Sequence, residues 1–247
     1  WCRTAKPPGT TTCRVDPSQV AGDNPLMIDM EAVDREVRAA RAELADAGNV
    51  KVILSLPTRV RIWRAMLDPD DDEVSYRHRI RLKMACVRHV LPVWYRGFPG
   101  DQRVEEMLAL TQDLMDRRTT DVDQAQEYAE SLLVGVIDDV NASATEVEPG
   151  VLKTDATKEA SSFVADAASL MATSACSRNP DYDTAEEDDD LTDDDDLLPD
   201  SLESSYSCAS AAAGALNWMP LELTDVPARR AFWTWYLNEA IPTTLAT

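Results

Sequence analysis

The sequence has few of the residues that build most catalytic and metal sites. Among 247 residues there are two histidines, five cysteines and eight glycines. The cysteines form no Cys-x-x-Cys pair, and their odd number does not suit a disulfide framework, so we expect reduced thiols. No glycine-rich phosphate loop, HExxH or GxSxG motif is present. The sequence therefore indicates no enzyme, no metal centre and no cofactor.

The chain also has no long apolar run. Nothing approaches 18 consecutive apolar residues, which excludes a predicted membrane-spanning helix. The chain begins at Trp1, without Met and without the apolar core of a signal peptide, as is typical of a fragment or a trimmed product. We expect a cytoplasmic protein with no membrane partner.

The few candidate catalytic side chains are poorly placed for catalysis. His78 and His89 are eleven residues apart, which is about 16 Å along one helix, so they cannot share a metal ion there. Cys86 precedes His89 by three residues, and a Cys/His nucleophilic pair is one interpretation of this spacing. The interpretation that we favour makes Cys86 a small core residue beside Val87 and the histidines structural or surface residues.

Acidic residues dominate the charge. Lys and Arg number 24 against 45 Asp and Glu, a net charge of −21. Such a field repels phosphate, which argues against nucleic acid and anionic membranes as partners. The charge is uneven, because residues 181–203 contain 13 acids and no base, whereas residues 35–104 contain 14 bases and 9 acids. The sequence predicts a nearly balanced body that carries one acidic loop.

The acidic loop, residues 181–203, has three interpretations. It is a solvated loop that keeps the protein soluble, an arm that attracts a basic partner, or a loose calcium site. An EF-hand is excluded because the segment has no Gly. The candidate partner-binding residues are its two dense acidic runs: Glu186, Glu187, Asp188, Asp189, Asp190, Asp193, Asp194, Asp195 and Asp196.

Apolar spacing predicts helices over most of the rest of the chain. In residues 75–96, apolar side chains from Ile80 to Trp94 recur at steps of four and three, with a kink or an early end expected at Pro92. Similar periods follow, and no segment alternates convincingly with period two. We predict an all-α single domain of about seven or eight helices over residues 26–247, with a disordered tail at residues 1–25.

Three arginines, Arg77, Arg81 and Arg88, lie opposite the apolar side of the helix at 75–96. They form a solvated face, pair with acids of neighbouring helices, or hold the acidic loop against the body. The pattern alone does not choose between these.

Two stretches carry a family resemblance. Residues 78–94 (HRIRLKMACVRHVLPVW), followed by the turn Phe98-Pro99-Gly100-Asp101, and residues 225–242 (DVPARRAFWTWYLNEAIP) resemble the Imm-5-like immunity proteins of bacterial polymorphic toxin systems. The motif residues are Arg79, Arg81, Leu91, Pro92, Trp94, Arg229, Phe232, Trp233, Trp235 and Pro242.

The resemblance implies an all-α fold and a protein that neutralises a cognate toxin by binding. It supplies no catalytic residues. It implies that Leu91, Trp94, Phe232 and Trp235 pack in the core, and that Arg79 or Arg81 bridges helices. The competing interpretation is a helical adaptor with an acidic partner-binding loop.

Overall fold

The structure is a computed structural model that describes residues 28–119, 121–183 and 203–246. The all-α fold predicted from the sequence is confirmed. The helices are α1 (Met30–Ala45), α2 (Leu56–Ala65), α3 (Asp72–Gly97), α4 (Arg103–Met115), α5 (Val122–Ala142), α6 (Ala156–Cys176), α7 (Ser204–Ala213), α8 (Val226–Trp235) and α9 (Ile241–Leu245). A π-helical turn, Tyr236–Ala240, joins α8 to α9, and a 3₁₀ turn, Leu221–Leu223, precedes α8.

Acidic N-caps set the start of many of these helices. Asp121 accepts a hydrogen bond from the backbone N–H of Gln124 (3.0 Å) at the start of α5, and Asp225 accepts one from Ala228 (3.0 Å) at the start of α8. A carboxylate in this position satisfies an orphan N–H and complements the helix dipole.

Helix α6 lies at the centre of the fold and packs against α3, α4, α5 and α7. Its buried residues are mostly Ala and Ser, which let neighbouring backbones approach closely. The approach is closest at Gly97, where a Cβ atom would lie 2.4 Å from Ser161 Oγ of α6. Only glycine fits there.

A small β-hairpin departs from the prediction that no strands form. Strands β1 (Thr145–Glu148) and β2 (Val151–Lys153) pair antiparallel between α5 and α6. Gly150, with φ +79°, supplies the left-handed residue that the Pro149-Gly150 turn requires. Every residue of both strands is exposed.

Two prolines lie inside helical segments. Of the kink or early end expected at Pro92, the early end is not observed, since α3 continues through Pro92, which lies on the exposed side, to Gly97. Pro242 is the second residue of α9. The predicted tail at residues 1–25 lies outside the described residues.

Candidate functional site

The acidic residues predicted to bind a partner, from Glu186 to Asp196, all lie outside the described residues. The structure describes the chain up to Asp183 and again from Glu203. These two acids are the described residues that flank the segment, and both are fixed by basic side chains.

Asp183 is fixed by α3. Lys83 Nζ lies 3.1 Å from its carboxylate and Arg79 Nε lies 3.9 Å away. Arg79 also donates to the backbone carbonyl of Ser174 at the end of α6 (3.1 Å). Arg79 therefore bridges α3, α6 and the chain that follows α6.

Glu203 is fixed by α2 and by its own helix. Its carboxylate accepts hydrogen bonds from the backbone N–H groups of Ser205 (2.7 Å) and Tyr206 (2.9 Å), and so caps α7. The guanidinium of Arg59, fully buried, lies 3.2 Å from the same carboxylate. Arg59 in turn donates to Leu54 O (3.0 Å), which ties the pair to the loop before α2.

Asp183 and Glu203 border one small cavity of about 30 Å³, which His78, Cys86 and Tyr236 also line. This volume holds only one or two water molecules, and small-molecule sites are about ten times larger. The cavity shows that Asp183 and Glu203, the described residues on either side of the acidic segment, lie at one place on the helical body.

Cys86 is unsuited to act as a nucleophile. It is fully buried, and burial raises the pKa of its thiol well above the ordinary value, which disfavours the thiolate. Burial lowers the pKa of His78 and of His89, which favours their neutral forms. Within residues 28–119, 121–183 and 203–246, no group of three or more His, Cys, Asp or Glu side chains could hold a metal ion.

The two family-like stretches meet around His89. Its imidazole stacks on the indole of Trp235, with 3.8 Å between ring centroids, and lies 5.9 Å from the ring of Phe232. Phe232 and Trp233 are buried in the core, whereas Trp235 is partly exposed. The stack joins α3 to α8.

The other motif residues tie loops to the helices. Trp94 is buried, and its indole N–H donates to Asp101 O (2.9 Å) in the turn after α3. Arg229 is buried, and it donates to Ala215 O (2.5 Å) beyond α7. Leu91 packs partly buried against the core, and Pro242 is exposed.

Trp235 separates two shallow grooves. One, of about 420 Å³, is lined by Arg81, Ala85, Arg88, Trp235, Glu239, Ala240, Thr243 and Thr244. The other, of about 500 Å³, is lined by Pro227, Arg230, Ala231, Thr234, Trp235, Asn238 and Glu239. A partly exposed Trp among charged residues is the kind of side chain that anchors protein–protein contacts.

The three arginines predicted to lie opposite the apolar side of α3 have different surroundings. Arg77 pairs with Glu73 of its own helix (3.1 Å) and with Asp116 after α4 (3.7 Å). Arg81 and Arg88 line the groove beside Trp235. The three arginines are thus divided between an ion-paired position and the rim of a groove.

Comparison with known families agrees with this arrangement. The fold is all-α, and its two family-like aromatic stretches pack together. The model of the family described as immunity protein Imm5 matches residues 43–243. The chain belongs to this immunity protein family. A comparison with curated proteins gives no match.

No helix in the described part of the chain is long and apolar enough to cross a membrane.

Proposed function

We propose that this protein is an immunity protein that binds a cognate bacterial toxin stoichiometrically and blocks the toxin's active site. The observation that carries the proposal is the match of the Imm5 family model to residues 43–243. The small cavity and the buried Cys86 are consistent with a protein that acts by binding and not by catalysis.

The charge supports a basic target. A net charge of −21 favours association with a positively charged surface, and electrostatic attraction of this kind speeds encounter by factors of about ten to a thousand. Nuclease toxins bind phosphate in basic clefts. We infer that an acidic inhibitor occupies such a cleft in place of the polyanion.

The acidic segment is the predicted arm for this attraction. Its flanks at Asp183 and Glu203 are held by Lys83, Arg79 and Arg59, so the segment starts from a fixed position on the body. Residues Glu186–Asp190 and Asp193–Asp196 remain the proposed contacts.

The main test is co-expression with the toxin domain encoded beside this gene, scored by survival and by pull-down. Survival together with a one-to-one complex supports the proposal. Cell death despite folded immunity protein contradicts the proposal and favours the adaptor interpretation. Survival without a complex contradicts stoichiometric blocking.

The contribution of the acidic segment is tested by replacing Asp193, Asp194, Asp195 and Asp196 with Asn. We expect slower association at low salt, and a wild-type affinity that falls as salt rises. Association rates equal to wild type would mean that the segment does not contact the toxin. An affinity independent of salt would remove the electrostatic part of the mechanism.

A further inference from the structure

A second acidic region lies in helix α5 and the hairpin that follows it. Residues 119–152 contain eight acids and no Lys or Arg. Residues 181–203 hold 13 acids and no base, and the remainder of the chain holds 24 acids and 24 bases. The whole net charge of the protein therefore resides in these two regions.

Helix α5 attaches to the body by one narrow stripe. The buried residues recur at steps of four, three, four and four, and they pack on α6: Ala125, Ala129, Leu132, Val136 and Val140. A second series with helical spacing runs along the opposite side of the helix, and all of its members are exposed. We call this series the outer α5 face; it consists of Asp123, Glu127, Glu130, Val134, Ile137 and Asp138.

Most acids of this face have no basic partner among the described residues. Asp139, at the flank of α5, pairs with Arg103 of α4 (2.7 Å). In contrast, Asp123, Glu127, Glu130 and Asp138 form no ion pair in the part of the chain that the structure describes. Within residues 28–119, 121–183 and 203–246, the face therefore presents four carboxylates without a paired base.

The same face presents apolar side chains where a solvated helix normally has polar ones. Val134 is 57% exposed and Ile137 is 44% exposed, one turn apart at the middle of the acidic series. The hairpin at the end of α5 adds Val147, Val151 and Leu152, all exposed. An isolated two-stranded hairpin is only marginally stable in water. The exposed apolar side chains of this hairpin are therefore not explained by the stability of the fold. Local features that folding does not explain point to binding.

We propose that the outer α5 face, together with the exposed apolar residues of the hairpin, is a docking surface for a basic protein surface that carries apolar side chains. Carboxylates around a pair of aliphatic residues match lysines and arginines around an apolar patch. A second copy of this chain fits less well, because its own outer α5 face would bring carboxylates against carboxylates. Nucleic acid is repelled for the same reason.

This inference deepens the proposed function and rests on it, because it assigns the toxin as the basic partner. The outer α5 face differs from the acidic segment in one respect. The segment offers charge, whereas the outer α5 face offers charge and apolar contact together. The two surfaces therefore make separable contributions, with the helix affecting dissociation as well as association.

The test measures binding of the purified, catalytically inactivated toxin domain encoded beside this gene. One variant, Val134→Ser with Ile137→Ser, removes the apolar contacts; Ser has a helix propensity close to those of Val and Ile. A second, Glu127→Lys with Glu130→Lys, reverses the charge. We expect the first to raise the dissociation rate at least tenfold and the second to slow association at least tenfold at low salt.

The 3₁₀ turn before α8 supplies matched controls. Leu223 is 57% exposed and Leu221 is 45% exposed, so Leu221→Ser with Leu223→Ser removes equally exposed apolar side chains elsewhere. Asp34→Lys with Glu222→Lys makes the same charge change at two other exposed acids. We expect both controls to bind within twofold of the wild type. Circular dichroism and the urea midpoint establish that every variant is folded.

The outcomes separate the two proposals. Absence of binding by the wild-type protein contradicts the proposed function and the docking surface with it. Wild-type binding that persists unchanged in both α5 variants overturns the docking surface alone. The same holds if the controls weaken binding as much as the α5 variants do, or if folded α5 variants lose self-association instead of toxin binding.

Discussion

Helices α5 and α6 are neighbours of equal length, 21 residues each, and they differ in almost every other respect. Helix α6 has small side chains on several sides and is enclosed by four other helices. Helix α5 has one buried stripe and exposes most of its surface. A helix buries only the sides on which apolar or small residues recur. Two helices of equal length can therefore lie in different places, α6 in the core and α5 at the surface.

The largest expected difference in stability between variants of α6 and α5 comes from burying a charge. Ala168 of α6 is fully buried, so Ala168→Lys places an unpaired ammonium group among packed helices. We expect it to lower the free energy of unfolding by about 4 kcal/mol or more. Gln126→Lys on exposed α5 is the control and should change it by less than about 0.5 kcal/mol. Urea denaturation followed by circular dichroism measures both, and equal losses would show that the helices do not differ in this way.

The next effect compares a buried ion pair with an exposed one. Glu203→Ala leaves the guanidinium of Arg59 buried without its carboxylate and removes the N-cap of α7, so we expect a loss of about 3–5 kcal/mol. Asp139→Ala breaks the exposed pair with Arg103 between α5 and α4, and should cost at most about 1 kcal/mol. A loss for Glu203→Ala as small as that for Asp139→Ala would contradict the structural role of Glu203.

A smaller effect is a pH dependence of the folding stability, and it originates at Asp166 of α6. Asp166 accepts a hydrogen bond from Ser207 Oγ (2.5 Å) of α7, and burial raises the pKa of its carboxyl above the ordinary 3.8. The folded protein therefore holds this proton more tightly than the unfolded chain does. The stability from this group is present below pH 3.8 and is lost as the pH rises through the raised pKa.

Asp166→Asn removes this loss and keeps an acceptor for Ser207. We expect the stability of the variant relative to wild type to increase as the pH rises from about 4 to about 7. Urea midpoints measured across this range test the expectation. A difference between the two proteins that is constant with pH would show that the Asp166 carboxyl titrates alike in both states.

The smallest expected effect is on the outer α5 face. Val134→Ser with Ile137→Ser should change the free energy of unfolding by less than about 0.5 kcal/mol per residue, because both side chains are largely solvated. Thermal denaturation measures this change. A large loss would mean that the two residues stabilise the fold, which would weaken the case that they are retained for binding.

Much of the helical architecture follows from the sequence, because long amphipathic segments have a clear period. The helix predicted at residues 75–96 is observed as α3, Asp72–Gly97. The hairpin was missed because its strands are three and four residues long, too short to show an alternation. The Pro149-Gly150 pair was the available signal for its turn.

The candidate surfaces were less predictable. The dense acidic runs at Glu186–Asp190 and Asp193–Asp196 attract notice in the sequence, whereas the acids of α5 are spread three and four residues apart and become one face only in a helix. The absence of any base between Arg118 and Lys153 was the signal in the sequence. Trp233 is buried against Arg59, whereas Trp235 is partly exposed and stacks on His89 of α3.

The position of Asp183 and Glu203 on a single cavity has an evolutionary consequence. The chain leaves the helical body and returns to it at neighbouring points, and closing a loop between such points becomes only slowly more costly as residues are added. Insertions, deletions and changes of composition between them need not disturb α3, α6 or α7. The helices that support this stretch therefore place little constraint on its length or composition.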